Sequence, residues 1–133
     1  MAALIPNNGE GDALNYFVNK VAPTNLILKL FKNDKTPAEA DVAADYTECD
    51  FAGYAAVTLT GANWTVTEGA PSSAAYAQQV FTNTGAVAQS VYGYFLVRAS
   101  SGRIAYAERF TGAPFVVQNA GDEIKITPTI TAD

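Results

Sequence analysis

The sequence predicts a mainly β protein, an antiparallel β-sandwich or barrel-like domain with one short N-terminal helix. Short apolar or alternating segments recur along most of the chain, and turn signals rich in Gly, Asn and Asp separate them. Only one stretch, near the N-terminus, has the spacing of an amphipathic helix. At 133 residues, of which 49% are hydrophobic, the chain is long enough to bury a core as one domain.

The N-terminal segment divides into an arm and a helix. Residues 1–11 contain one Pro, two Asn and two Gly, which favour an extended arm ahead of a single β-rich domain at 12–133. We expect the helix to begin with Asp12 as its N-cap and to end before Pro23. The i, i+3, i+4 and i+7 positions predict that its buried face consists of Leu14, Phe17, Val18 and Val21.

Nine strands are expected after the helix, and one of them is unusual. The segment 91–97 is apolar on both faces, so it is either central or covered by a partner, and we favour the partner because a thin sandwich has few places to bury two faces. The predicted strands are 25–32, 46–51, 54–60, 64–67, 75–82, 91–99, 103–111, 115–118 and 123–130.

One hairpin can be predicted in register. If Ser101-Gly102 is a two-residue turn, Tyr94 lies opposite Arg109 and Gly93 opposite Phe110. The first pair suits a contact between a ring and a guanidinium group.

The composition argues against several function classes. The chain has no histidine and a single cysteine, Cys49. Histidine-dependent nucleophilic catalysis, most zinc sites and an internal disulfide are therefore excluded. Eight basic residues and a net charge of −5 argue against nucleic acid as a partner. No apolar run is long enough to cross a membrane, and the N-terminus lacks the features of a secretory signal. We expect a protein that is not an enzyme and binds no cofactor.

Glu108 and the acidic residues between 34 and 50 are the carboxylates that could have a chemical function. Glu108 alternates with apolar residues, so it is either a carboxyl with a raised pKa or, as we favour, a strand residue that faces a basic neighbour or a subunit interface. No sequence feature identifies a second carboxylate for glycosidase chemistry. The acidic residues between 34 and 50 match no calcium-binding loop and favour a solvated loop.

Several blocks together resemble a family of small structural proteins from tailed-phage particles, similar to capsid decoration, or cement, proteins. The blocks are APTNLILKL at 22–30, FAGYAAVTLTGANW at 51–64, VYGYF at 91–95, AERF at 107–110 and GDEIKITP at 121–128. The resemblance implies a protein made in the host cytoplasm and located in the virion, where it binds the major capsid protein and forms a homo-oligomer, with a trimer favoured. It implies no catalytic or binding residue.

The resulting expectation is a decoration protein that stabilises a phage shell by bridging its subunits. The alternative is a tail, baseplate or fibre component, which could bind glycans through exposed rings; a small glycan hydrolase is a third, less favoured class. The residues expected to contact partners are Leu4, Ile5 and Pro6 in the arm and Tyr92, Tyr94, Leu96 and Arg109 in the hairpin.

Overall fold

The structure, a computed structural model, describes residues 2–132 and is mainly β with one helix near the N-terminus, as predicted. Its sheets are antiparallel and do not close into a barrel, so the sandwich-like alternative is the observed one. Met1 and Asp133, which bound the predicted arm and domain, lie outside the described residues. The elements are β1 (Ala2–Leu4), α1 (Asn7–Phe17), β2 (Leu26–Phe31), β3 (Val57–Leu59), β4 (Thr65–Thr67), β5 (Ser72–Ala75), β6 (Gln79–Thr82), β7 (Gln89–Val91), β8 (Gly93–Arg98), β9 (Ile104–Arg109), β10 (Phe115–Val117), β11 (Glu123–Ile126) and β12 (Thr129–Ala132).

The largest sheet has five strands in the order β1-β9-β8-β2-β3. A three-stranded sheet in the order β12-β5-β4 and the pairs β11-β6 and β10-β7 complete the β structure. Three predicted strands are each divided in two, because 75–82, 91–99 and 123–130 are interrupted where the chain changes sheet. The predicted strand at 46–51 is reduced to one bridge between Glu48 and Phe31.

Strand β8 is buried on both faces by side chains of its own chain. Tyr94 and Leu96 belong to the main core cluster, whereas Phe95 and Val97 pack on the opposite face with Phe31. The expectation that a partner covers one face of this strand is therefore wrong. The strand is central in its sheet, and the smaller sheets and the 43–46 segment supply the cover.

The hairpin between β8 and β9 has a different register from the predicted one. Tyr94 lies opposite Glu108, and Gly93 lies opposite Arg109. The turn is longer than two residues, since the Gly102 N–H donates to the Arg98 carbonyl. A bulge between Leu96 and Val97 shifts the pairing again. A longer turn and a bulge change the register in ways that the two-residue rule does not anticipate.

The N-cap of helix α1 is Pro6, six residues earlier than the predicted Asp12. Asp12, the predicted N-cap, lies inside the helix, and the Pro6 carbonyl accepts the first N–H, that of Glu10. The helix ends where Asn19 adopts a left-handed conformation with φ 59°, a common C-terminal arrangement. Residues 2–11 thus form an edge strand and the first turns of the helix, not a separate extended arm.

Helix α1 also faces the opposite way from the prediction. Its buried residues are Gly9 and Asp12, and the predicted inner face is exposed. Gly9 allows close contact with β9, because an added Cβ would lie 2.5 Å from the Ala105 carbonyl oxygen. Gly11, two residues later, has no neighbouring atom within 4 Å of such a Cβ.

An ion-pair network holds α1 in this orientation. The Asp12 carboxylate, 5% exposed as a residue, lies 3.5 Å from Arg98 Nη1 and 3.3 Å from Arg103 Nε. The Arg98 guanidinium also stacks on the Tyr16 ring at 5.0 Å. A buried carboxylate needs such partners, and both arginines are on the β8–β9 hairpin.

These contacts give a matched pair of variants. We expect Gly9→Ala to lower the free energy of unfolding by about 1–3 kcal/mol, because the methyl group would overpack against β9. Gly11→Ala is expected to raise it by about 0.5–1 kcal/mol, since alanine is the better helix former. Urea denaturation measures both, and equal effects of the two substitutions would contradict the described packing of α1.

Candidate binding surfaces

The first candidate surface is the exposed apolar side of α1 and the turn that follows it. We call it the helix patch, and it consists of Leu14, Phe17, Val18 and Val21. Leu14 is 66% exposed, Phe17 89% and Val18 66%. Residues three and four apart are neighbours on a helix, so Leu14, Phe17 and Val18 form one surface, and Val21 lies in the turn beyond the left-handed Asn19. Contiguous exposed apolar surface on a soluble domain marks an interaction site more often than scattered single residues do.

The second candidate surface is a cleft of about 670 Å³ between the edge strand β1 and the end of the chain at β12. We call it the arm cleft. Its volume falls within the range of small-molecule sites, about 300–1,000 Å³. It is lined by Ala3, Leu4, Ile5, Glu10, Glu39, Tyr94, Tyr106, Glu108, Thr127, Thr129, Thr131 and Ala132.

Three elements bring carboxylates to the arm cleft. Glu10 comes from the first turn of α1, Glu39 from the loop after β2, and Glu108 from β9. Within residues 2–132, none of the three is in an ion pair. None of the eight lysine and arginine residues lines the cleft. The arm cleft is therefore lined by no basic side chain from residues 2–132, although the positive charge of the N-terminal amino group lowers the pKa of Glu108.

Two tyrosines form the inner wall around Glu108. Burial raises the pKa of Glu108 above its ordinary value, and a hydrogen bond with Tyr94 opposes that shift. Burial and the negative charge of Glu108 together raise the pKa of Tyr106 to about 12. The Tyr94 hydroxyl, 3.4 Å from the Thr129 amide nitrogen, joins this wall to β12. Both phenols therefore stay protonated at neutral pH.

The acidic segment at 34–50 is largely paired within the chain. Asp34 binds Arg109, Asp41 binds Lys35 and Tyr46, Asp45 accepts the Val42 N–H, Glu48 binds Lys29 and Tyr54, and Asp50 binds Lys32 and Gln89. Asp34, Asp45 and Asp50 are exposed, as the interpretation of a solvated loop expects, whereas Asp41 is buried and Glu48 is partly buried. Glu39 alone of this group contributes to the arm cleft.

The residues predicted to contact partners are separated by the fold. Leu4 and Ile5 line the arm cleft. Tyr92 and Arg109 stack on each other at 5.2 Å and are partly buried elsewhere, with Arg109 also bound to Asp34. Pro6, Tyr94 and Leu96 are buried in the domain, so direct partner contacts by these three are not supported.

Sequence reasoning missed the roles of Glu10, Glu39 and the helix patch. The two glutamates are distant from Glu108 along the chain, and no spacing rule connects them. For the helix, the apolar spacing predicts which residues share one face. It does not show whether that face points to the core or to solvent, and an apolar face is normally assigned to the core.

The lone thiol and the acidic groups form no redox or metal centre that the structure describes. Burial raises the pKa of Cys49 to about 12, with the charges of Asp50 and Glu48 adding to the effect. Within residues 2–132, no three Asp, Glu or Cys side chains are grouped to hold a metal ion. No helix in that range is long and apolar enough to span a membrane.

Comparison with protein-family models gives no match, and a search of curated proteins gives none either.

The environment of Glu108 predicts a pH-dependent effect on stability. A carboxyl with a raised folded-state pKa stabilises the fold at low pH, and this contribution is lost as the pH rises above its ordinary value of 4.5. Glu108→Gln is therefore expected to raise the free energy of unfolding at pH 7 relative to wild type, with a smaller gain near pH 4.5. Urea denaturation across this range measures the difference.

The matched control is Glu68→Gln, which removes the same charge from an exposed loop. Its effect on the free energy of unfolding should vary little with pH. If the Glu108→Gln difference is equally flat, the described burial of Glu108 is contradicted.

Proposed function

We propose that this protein is a structural component of a tailed-phage virion that decorates the outer surface of the shell. In this proposal, the helix patch contacts the major capsid protein and stabilises the shell by bridging its subunits. The observation that carries the proposal is the orientation of α1, which exposes the apolar side chains and buries Asp12. The resemblance of the sequence blocks to phage decoration proteins supplies the identity of the partner.

The energetics of the patch support an assembly role. Full burial of a Leu, Phe or Val side chain contributes about 1.5–3 kcal/mol. Phe17 is the natural anchor, because aromatic residues dominate interface energies and its ring is 89% exposed. Keeping this ring in water has a free-energy cost that docking on a partner would recover.

Self-association belongs to the same proposal. A homo-oligomer, with a trimer favoured, would place several helix patches on one shell and raise the total affinity through multivalency. Light scattering after size-exclusion chromatography gives the copy number directly.

The tail or fibre alternative has weaker support. Its glycan-binding form needs exposed aromatic rings, but Tyr94 is buried and Trp64 packs edge-on against Tyr76 with ring centres 5.3 Å apart. No described observation favours that alternative over decoration.

The proposal is tested with shells that lack this protein. Purified protein is expected to co-sediment with them and to raise their thermal disruption temperature. Phe17→Ser and Val18→Ser should weaken binding about tenfold or more, the factor that corresponds to about 1.4 kcal/mol. Both side chains are largely exposed, so the melting temperature of the free protein should change little.

The control is Val87→Ser, which makes the same change as Val18→Ser at a residue that is 82% exposed outside the helix patch. It should bind like wild type. Binding to no shell under varied salt would contradict the decoration role. Wild-type binding by both patch variants would contradict the role of the helix patch.

A further inference from the structure

A pocket of about 300 Å³ lies between helix α1, the turn at 23–25 and the sheets. We call it the tryptophan pocket. Its polar part includes Asp12, Tyr16 and Arg98, which contact one another. A mainly apolar pocket with a few polar groups together is the usual form of a small-molecule site. The apolar part of its wall belongs to the main core or packs against it, and includes Ile5, Leu26, Leu59, Trp64 and Ile130.

Two residues of this wall each carry a buried polar atom that has no hydrogen-bond partner within residues 2–132. They are the Tyr16 hydroxyl and Arg98 Nε, and no other buried side-chain nitrogen or oxygen in that range lacks a partner. The Arg98 side chain is only 11% exposed. Buried polar atoms are normally paired, so the occurrence of both exceptions at one pocket indicates a place for a ligand.

Both atoms can donate a hydrogen bond. Arg98 Nε can only donate. Burial raises the pKa of Tyr16 above its ordinary value, so the hydroxyl keeps its proton at neutral pH. The Arg98 guanidinium lies over the Tyr16 ring at 5.0 Å, which holds the two side chains against each other. A ligand that pairs with both atoms must therefore supply an acceptor.

The charges at the pocket favour an acceptor that is an anion. Arg98 and Arg103 share the carboxylate of Asp12, and neither has another carboxylate partner within residues 2–132. Two guanidinium groups for one carboxylate leave one positive charge uncompensated, and a guanidinium group binds a carboxylate through paired N–H donors. A single charge and an apolar wall match a carboxylate better than a phosphate monoester, which carries about −1.5 to −2.

We propose that the tryptophan pocket binds a small carboxylate with an apolar body, such as a short alkyl or aryl acid. The carboxylate accepts hydrogen bonds from Arg98 Nε and the Tyr16 hydroxyl, and the apolar body packs on Trp64 and Leu59. The volume of the pocket, near the lower limit of small-molecule sites, suits a ligand of this size. No residue of the helix patch lines the pocket, so the site does not depend on the proposed virion role.

Trp64 provides the measurement, because it is the only tryptophan of the chain and lines the pocket. We expect a saturable change in its fluorescence on titration with hexanoate at constant ionic strength. Hexanol and hexylammonium carry the same apolar chain with a neutral or a positive head group. Each should bind at least about tenfold more weakly than hexanoate, because neither supplies an anionic acceptor.

The matched variants are Tyr16→Phe and Tyr92→Phe. Each removes one hydroxyl and keeps a ring under a guanidinium group, that of Arg98 at 5.0 Å or that of Arg109 at 5.2 Å. Tyr16→Phe should weaken hexanoate binding about tenfold, the effect of losing one hydrogen bond to a charged group. Tyr92→Phe, which lies outside the pocket, should bind hexanoate like wild type.

The melting temperature separates a loss of binding from a loss of fold. The Tyr16 hydroxyl has no partner within residues 2–132, so Tyr16→Phe should leave the melting temperature of the free protein unchanged or raise it. The proposal is overturned if hexanoate causes no saturable change in Trp64 fluorescence, or if hexanol binds as tightly as hexanoate. It is equally overturned if Tyr16→Phe and Tyr92→Phe bind hexanoate alike.

Discussion

The orientation of the N-terminal helix depends on one buried carboxylate. Asp12 binds Arg98 and Arg103, which come from the two sides of a single hairpin turn, and this arrangement turns the polar side of α1 toward the sheet. With α1 packed in this orientation, removing one partner of the buried Asp12 carboxylate would cost about 3–5 kcal/mol, because the remaining charge would be buried without compensation. The same orientation leaves Phe17 and its apolar neighbours exposed, which forms the helix patch. Gly9 permits the same packing sterically, since a side chain there would meet β9.

The class of the fold could be predicted from the sequence because its signals are local. Alternating strands and turn residues are read over a few positions, and they placed β2, β8 and β9 near their observed positions. The register of the β8–β9 hairpin failed for a physical reason, because a bulge and a longer turn change the pairing without changing the alternation of either strand. The direction of α1 failed because its decisive partners, Arg98 and Arg103, are more than eighty residues away in the chain.

The residues of the arm cleft could not be grouped from the sequence either, because they are distant from one another along the chain. Glu108 is recognisable in the sequence because a carboxylate interrupts an apolar face. The structure places it beside two buried tyrosines. Its acidic neighbours, Glu10 and Glu39, arrive from a helix and a loop that only tertiary packing brings near β9. The other acidic residues of 34–50, equally prominent in the sequence, are paired with basic, hydroxyl or backbone N–H groups of the chain. Which carboxylates stay available to a ligand is thus decided by long-range contacts.

The inverted helix is tested most directly by the accessibility of position 17. Cys49 is the only thiol of the chain and is 3% exposed, so the wild type provides its own unreactive reference. In the variant Phe17→Cys, a maleimide reagent added to dilute, folded protein should label position 17 nearly as fast as it labels the urea-unfolded chain, while Cys49 remains unlabelled. Protection of the new thiol to the same degree as Cys49, in protein shown to be monomeric by light scattering, would contradict the orientation of α1 on which the helix patch rests.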